Sequence, residues 1–167
     1  MNHRSGNGLK RKSMSLFKSV LHNLGVVMVG LAVAFIGRGL ESLLRIHGFR
    51  SFFTTAAGWL LLSIGFLLRV WATFLFYQNR MRVISLEPQT TLITSGPYTL
   101  SRNPLYLGGN VFVFFGAALL LGTPIGIFLT AAHLPLVNLF IRREEKQLGK
   151  NFGEEWVRYK RRVRRWL

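Results

Sequence analysis

Long apolar stretches separated by polar connections organise the chain. Residues 16–36 and 56–77 form the first two, and each is interrupted by only a few polar side chains. A helix that crosses a bilayer needs about 20 predominantly apolar residues, and both stretches reach that length. The pattern predicts an all-α polytopic membrane protein, a bundle of about four transmembrane helices.

The last two spans are predicted to form a tight helical hairpin. Residues 105–141 contain no Asp, Glu, Lys or Arg, and this stretch is long enough for two crossings. A Gly-Thr-Pro turn signal occupies residues 122–124 at its midpoint. We therefore expect spans at 105–122 and 125–141.

Charge is segregated along this pattern and sets the expected orientation. The chain carries 22 lysine and arginine residues and a formal net charge of +16. With four spans the termini share one side, which holds eighteen of these residues, whereas the other side holds Arg38, Arg45 and Arg50. Basic loops stay in the cytoplasm, so we expect both termini and the 78–104 loop to be cytoplasmic.

Residues 38–55 connect the first two spans on the opposite side of the membrane. The sequence leaves their structure open, and their apolar residues could form an amphipathic piece on the membrane surface. These residues are Leu40, Leu43, Leu44 and Phe49.

Composition excludes several kinds of site. The absence of cysteine excludes disulfides, thiolate metal ligands and a cysteine nucleophile. Four scattered histidines and no Asp make a metal site unexpected. No Gly-rich phosphate loop follows a strand. Because topology alone accounts for the basic residues, nucleic-acid binding is not expected either. Chemistry must therefore come from loops and helix ends at the cytoplasmic face.

The start of the third span carries the first candidate residues. Asn103 and Pro104 suit the N-cap and first helical position, which leaves free N–H groups at the interface for a carboxylate or phosphate. Arg102 adds a bidentate donor. Capping, interface aromatics and helix packing are the ordinary explanations for these residue types. Two aromatic faces and a glycine permitting close approach complete the group: Tyr98, Tyr106 and Gly108.

Two adjacent carboxylates, Glu144 and Glu145, lie where the fourth span ends. Neither has a lysine or arginine one helical turn ahead, and only Arg142 pairs with Glu145, in the weaker order. Local salt bridges on a solvated face therefore explain them poorly. We interpret the pair as functional.

The tail beyond these acids is predicted to be amphipathic and basic. Its apolar residues recur at helical spacing, although Gly149 and Gly153 favour two short pieces over one helix. Such a segment lies on an anionic membrane surface and could fold back beneath the hairpin to close a pocket. The apolar face is formed by Leu148, Phe152, Trp156, Tyr159 and Val163.

Arg69 stands inside the second span, about 12 Å from its cytoplasmic end at ~1.5 Å per residue. An intramembrane arginine costs at least ~2.5–3.5 kcal/mol on insertion scales and indicates function unless it snorkels to the interface. Both interpretations are open for Arg69.

Two motifs in this order resemble one family. The runs GPY at 96–98 and RNPLYLG at 102–108 resemble the G-P-Y…R-H-P-x-Y-x-G motif of the isoprenylcysteine carboxyl methyltransferase and phospholipid methyltransferase superfamily. The runs RREEKQL at 142–148 and FGEEWVRYKRRVRR at 152–165 are similar to its R-x-E-E-x-x-L…F-G-x-E-Y-x-x-Y…V-x-R ending.

The resemblance implies an integral-membrane enzyme that transfers a methyl group from S-adenosylmethionine. Residues 56–167 would form the methyltransferase core, with the cofactor pocket at the cytoplasmic face, and residues 1–55 the N-terminal segment, first span and connection. The acceptor would be amphiphilic and enter laterally between spans. A prenylated-protein carboxylate, a phospholipid amine and a small thiol stay open as acceptors.

The resemblance also assigns roles. Arg102, Asn103 and Arg69 are the catalytic candidates, and Arg69 would hold an anionic head group. One of the two glutamates would bind the cofactor and the other an arginine, while Tyr106 would face the sulfonium. The cofactor-binding candidates are Tyr98, Arg102, Asn103, Tyr106, Gly108, Glu144, Glu145 and Tyr159.

Position 103 departs from the family, which usually has histidine there. An amide keeps a hydrogen bond but carries no proton at neutral pH, so a general-base role for Asn103 is in doubt. A carboxylate acceptor needs no base, whereas an amine or thiol would need deprotonation elsewhere. The alternative function is a non-enzymatic membrane protein whose basic tail binds anionic lipid or a partner protein.

Overall fold

The chain folds as a bundle of four long helices in a computed structural model that describes residues 3–81, 83 and 89–167, with side chains from residue 13. Each helix is long and apolar enough to cross a membrane, and the described residues include no strand. The predicted all-α, four-span architecture is therefore confirmed. The helices are α1 (His3–Leu44), α2 (Phe52–Gln78), α3 (Pro104–Leu121) and α4 (Pro124–Arg162).

The predicted hairpin between α3 and α4 turns within two residues. Gly122 ends α3 in the left-handed region (φ 61°), which glycine adopts without strain. Thr123 caps α4, because its Oγ1 accepts a hydrogen bond from the N–H of Gly126 at 3.0 Å. The buried Glu41 of α1 accepts from Thr123 Oγ1 at 2.5 Å and from the N–H of Ile125 at 2.9 Å. These contacts fasten the turn to α1.

Helix α1 runs to Leu44, and so includes part of 38–55, a stretch whose structure the sequence left open. Residues 38–44 continue the helix, and only 45–51 connect it to α2. Glu41 supplies the physical reason: a buried carboxylate needs donors, and the N-terminus of α4 provides them only if α1 extends that far.

Helices α2 and α3 approach closely through facing glycines. A Cβ atom built on Gly58 would lie 2.8 Å from the carbonyl oxygen of Gly116, and one built on Gly65 would lie 2.5 Å from that of Gly108. Small residues let membrane helices pack backbone against backbone.

Gly116→Ala is expected to lower the free energy of unfolding by about 1–3 kcal/mol. The new Cβ would lie 2.8 Å from the backbone nitrogen of Leu62, which has no freedom to move aside. Gly39→Ala is the matched control, since nothing lies within 4 Å of its Cβ position. Unfolding in detergent would measure both variants, and equal unfolding of the two would contradict the packing.

One end of the bundle is formed by the 96–103 loop, the start of α3 and the last turns of α4, and we call it the loop end. Two irregular helical segments lie there. Residues Leu107–Val113 of α3 form a π-helical turn, a feature that recurs at functional sites. Helix α4 passes through Gly149 and kinks at Gly153 (φ 48°, ψ −121°), so of the two glycines expected to weaken the helix only Gly153 interrupts it. The kink turns Trp156 and Tyr159 into a buried cluster with Tyr98 and Phe76.

Candidate functional site

A cleft opens at the loop end between the start of α3 and the last turns of α4. The space between its walls, counted out to open solvent, is about 450 Å³. Aromatic and apolar side chains form most of the walls. The lining residues are Phe76, Gln89, Leu92, Ile93, Tyr98, Arg102, Asn103, Pro104, Leu105, Tyr106, Glu144, Leu148, Trp156 and Tyr159.

Tyr98 enters the cleft from a tight turn. Residues Gly96–Thr99 form a 3₁₀ turn that begins with Gly96 at φ 61° and has Pro97 at its second position, and Pro97 and Tyr98 are buried. The Tyr98 carbonyl accepts a hydrogen bond from the Tyr159 hydroxyl at 2.8 Å. Burial raises the pKa of Tyr98 well above its ordinary value, so its hydroxyl keeps its proton and is a donor at neutral pH.

Arg102 is held beside the cleft by one carboxylate and one aromatic ring. Its Nη2 lies 3.2 Å from Glu145 Oε1, and its Cζ lies 5.6 Å from the centroid of the Trp156 ring. The side chain is 7% exposed, yet among the residues that the structure describes Arg102 Nε and Nη1 have no hydrogen-bond partner, and neither does the buried Tyr98 hydroxyl. Buried donors without partners are rare, so these atoms indicate a ligand.

The two glutamates have different surroundings. Glu145 is buried and accepts hydrogen bonds from Arg165, with Nε at 3.1 Å and Nη2 at 2.6 Å, besides its contact with Arg102. Glu144 lines the cleft and accepts a hydrogen bond from the Tyr106 hydroxyl at 2.8 Å. One glutamate therefore binds arginines, as expected, and the other faces the cleft.

The C-terminal residues 163–167, called the strap, bind the loop that carries Arg102, although none of them lines the cleft. The N–H of Arg102 donates to the carbonyl of Arg164 at 2.9 Å, and Ser101 Oγ donates to that of Arg165 at 3.0 Å. Asn103 occupies the N-cap position of α3 without a side-chain capping bond, and its Nδ2 donates instead to the Arg165 carbonyl at 3.2 Å. The amide at position 103 thus fixes the strap.

Arg69 lies behind the cleft and does not snorkel. It is 8% exposed, and its Nε donates to Asn23 Oδ1 at 2.7 Å and its Nη1 to the Leu105 carbonyl at 2.5 Å. Gly108 and Gly109 make room for it, because a Cβ atom on either would lie within 2.8 Å of the arginine side chain. Arg69 therefore supports the first turn of α3 and does not line the cleft.

Most of the predicted site residues meet in the cleft. Gly108 packs against Arg69, and Glu145 stands one contact away, behind Arg102. Sequence reasoning missed Arg165 and Asn23 as partners, although a lone amide inside the first span is a signal for a polar contact. The predicted residues that line the cleft are Tyr98, Arg102, Asn103, Tyr106, Glu144 and Tyr159.

The chain is similar in sequence to known proteins. The sequence model of the phospholipid methyltransferase family matches residues 53–155. Over 156 residues the chain is 31% identical to protein-S-isoprenylcysteine O-methyltransferase of Rattus norvegicus. That alignment covers 91% of this chain and 54% of the rat protein, so the chain spans about half the length of that relative. No solved structure matches the chain.

The family match covers more than half of the chain and includes the loop and helix ends that form most of the cleft. Four apolar helices accompany it. The chain therefore belongs to the phospholipid methyltransferase family.

Proposed function

We propose that the protein transfers a methyl group from S-adenosylmethionine, bound in the cleft, to an amphiphilic acceptor. The observation that carries this proposal is the set of buried donors without partners, Arg102 Nε and Nη1 and the Tyr98 hydroxyl. All of these atoms belong to residues that line the cleft, so oxygen or nitrogen atoms of a bound ligand would accept hydrogen bonds from them.

The cleft residues fit each part of this cofactor. The two unpartnered nitrogens of Arg102, Nε and Nη1, are charged hydrogen-bond donors that suit its carboxylate. Glu144 suits its ammonium or ribose hydroxyls, exchanging the Tyr106 hydroxyl for the ligand. Aromatic faces attract a sulfonium through cation–π contacts, and Tyr106 and Trp156 supply them.

The bound cofactor supplies an electrophilic methyl group on a positively charged sulfur. That methyl group would pass to the acceptor's lone pair with S-adenosylhomocysteine as the leaving group, while Arg102, Glu144 and Tyr106 would hold the cofactor. The protein's contribution is to hold both groups in line and to exclude water. Asn103 takes no proton at neutral pH, so a carboxylate acceptor reacts directly, whereas an amine or thiol loses its proton elsewhere.

The acceptor class follows from the membrane setting and the relatives. The rat protein is named for an isoprenylcysteine and the family for phospholipids, and both are lipid-bearing molecules. We propose a lipid-like or prenylated acceptor that reaches the cleft from the bilayer. The basic loop and tail favour the cytoplasmic face for the loop end.

Binding of isotopically labelled S-adenosylmethionine to the purified protein in nanodiscs tests this function. Saturable binding is expected within ~1 μM to ~1 mM, with competition by S-adenosylhomocysteine but not by adenosine. Membranes containing the protein should then incorporate labelled methyl groups into a lipid-extractable product. Absence of saturable binding to folded protein would exclude this function.

A further inference from the structure

A second space, separate from the cleft, lies between α3 and α4 on the outer surface of the bundle. It measures about 1,270 Å³ counted out to its open side. Ala131 and Pro135 in its wall are exposed, so it opens where membrane helices face lipid. We call it the α3–α4 groove. Its apolar walls are Leu107, Val111, Ala131, Leu134 and Pro135.

The sequence explains why the helices part here. Pro135 lies inside α4, where proline cannot donate to the carbonyl of residue 131 and its ring clashes with that turn. On the opposite wall, Leu107 and Val111 belong to the π-helical turn of α3. Ala131 adds little bulk. The groove is thus produced by two local departures from regular helix.

The end of the groove nearest the strap is polar and positively charged. Asn138, Arg165 and Trp166 form it, and Arg165 Nη1 reaches Asn138 Oδ1 only at 3.5 Å. Among the described residues Glu145 is the one carboxylate in contact with Arg165 or Arg102, so three charges sum to +1. The hydrogen bond to Glu145 raises the pKa of Arg165, which therefore stays cationic.

The polar end of the groove adjoins the cleft. Asn103, which lines the cleft, donates to the carbonyl of Arg165, which lines the groove. Leu107 in the groove wall follows Tyr106 in the cleft wall directly. A head group at Arg165 is therefore separated from the cleft by the strap and one residue of α3.

We propose that the α3–α4 groove binds the methyl acceptor, an amphiphile whose chain lies along the apolar walls and whose anionic head group binds Arg165. This inference rests on the proposed function, because only methyl transfer makes the bound amphiphile an acceptor. It gives Arg165 the role of head-group partner that the sequence assigned to Arg69, which the bundle keeps behind the cleft.

Quenching of Trp166 fluorescence tests the groove without S-adenosylmethionine. The probes are dibromostearoyl glycerol and dibromostearoyl glycerol phosphate in phosphatidylcholine nanodiscs, which share one chain and differ in charge. The Trp166 signal is the wild-type signal minus that of Trp166→Phe. The phosphate should quench at about a tenfold lower mole fraction than the neutral probe, since a charge-assisted hydrogen bond favours it. Arg165→Gln should abolish that preference.

Filling the groove provides the second arm of the test. Ala131→Phe should reduce Trp166 quenching by the phosphate probe at least fivefold, whereas Ala132→Phe, on the exposed neighbouring position, should leave it unchanged. Val111→Phe, on the opposite wall, replaces Ala131→Phe if that variant does not fold. Equal quenching by both probes, or full quenching in the filled groove, would overturn the proposal. Since no cofactor is present, the outcome is independent of cofactor binding.

Discussion

Arg102→Gln lowers the affinity for S-adenosylmethionine by at least about 30-fold, corresponding to about 2 kcal/mol. The arginine is the buried cation of the cleft, and two of its nitrogens have no partner within the described part of the chain. A neutral amide in its place leaves the cofactor carboxylate desolvated and without its cationic hydrogen-bond partner. Equilibrium binding of labelled cofactor measures the effect.

Arg143→Gln is the matched control for this experiment. Arg143 is an exposed arginine on α4, next to the cleft residue Glu144, and it receives the same substitution. Its cofactor affinity should stay within about threefold of the wild type, because an exposed charge is screened by solvent and salt. An equal loss in both variants would mean that overall positive charge, and not Arg102 itself, attracts the cofactor.

Glu145→Gln and Glu144→Gln should separate stability from binding. Removal of the Glu145 carboxylate leaves Arg102 and Arg165 without their shared counter-charge, and we expect a loss of about 3 kcal/mol in the free energy of unfolding. Glu144 is exposed and accepts one hydrogen bond from Tyr106, so its substitution should cost under about 0.5 kcal/mol but weaken cofactor binding.

Tryptophan fluorescence during thermal unfolding in detergent measures the first effect, and cofactor binding the second. The double variant should combine the stability loss of Glu145→Gln with the binding loss of Glu144→Gln. If the two single variants unfolded at the same temperature, the division of roles between the adjacent acids would be wrong.

The parts of this protein that the sequence predicted are those encoded by local pattern. Apolar length predicts the four spans, and the Gly-Thr-Pro signal at 122–124 predicts the hairpin. The poor local pairing of Glu144 and Glu145 indicates partners elsewhere in the chain, which Arg102, Arg165 and Tyr106 provide. A missing local contact is information that a sequence does contain.

The parts that the sequence did not predict depend on contacts between distant residues. The residues next to Arg69 in sequence do not indicate that Asn23 and the Leu105 carbonyl hold it inside the bundle, so both interpretations of Arg69 stayed open. Likewise α1 continues through 38–44 because Glu41 meets the start of α4, which lies far along the chain. The position of the strap also depends on distant contacts, because its main-chain carbonyls accept hydrogen bonds from the loop. Every residue type has such a carbonyl, so the sequence does not reveal these bonds.

The strap also constrains the order of assembly. Ser101 in the loop and Arg165 in the strap, which are hydrogen-bonded, are 64 residues apart in sequence, and the whole α3–α4 hairpin lies between them. Contacts of such high sequence separation form late, after the intervening segment has folded. The cleft is therefore complete only once both crossings of the hairpin have entered the membrane and returned the chain to its starting side. Cofactor binding should consequently serve as a readout of correct membrane insertion, with a misinserted chain remaining inactive instead of reacting in the wrong place.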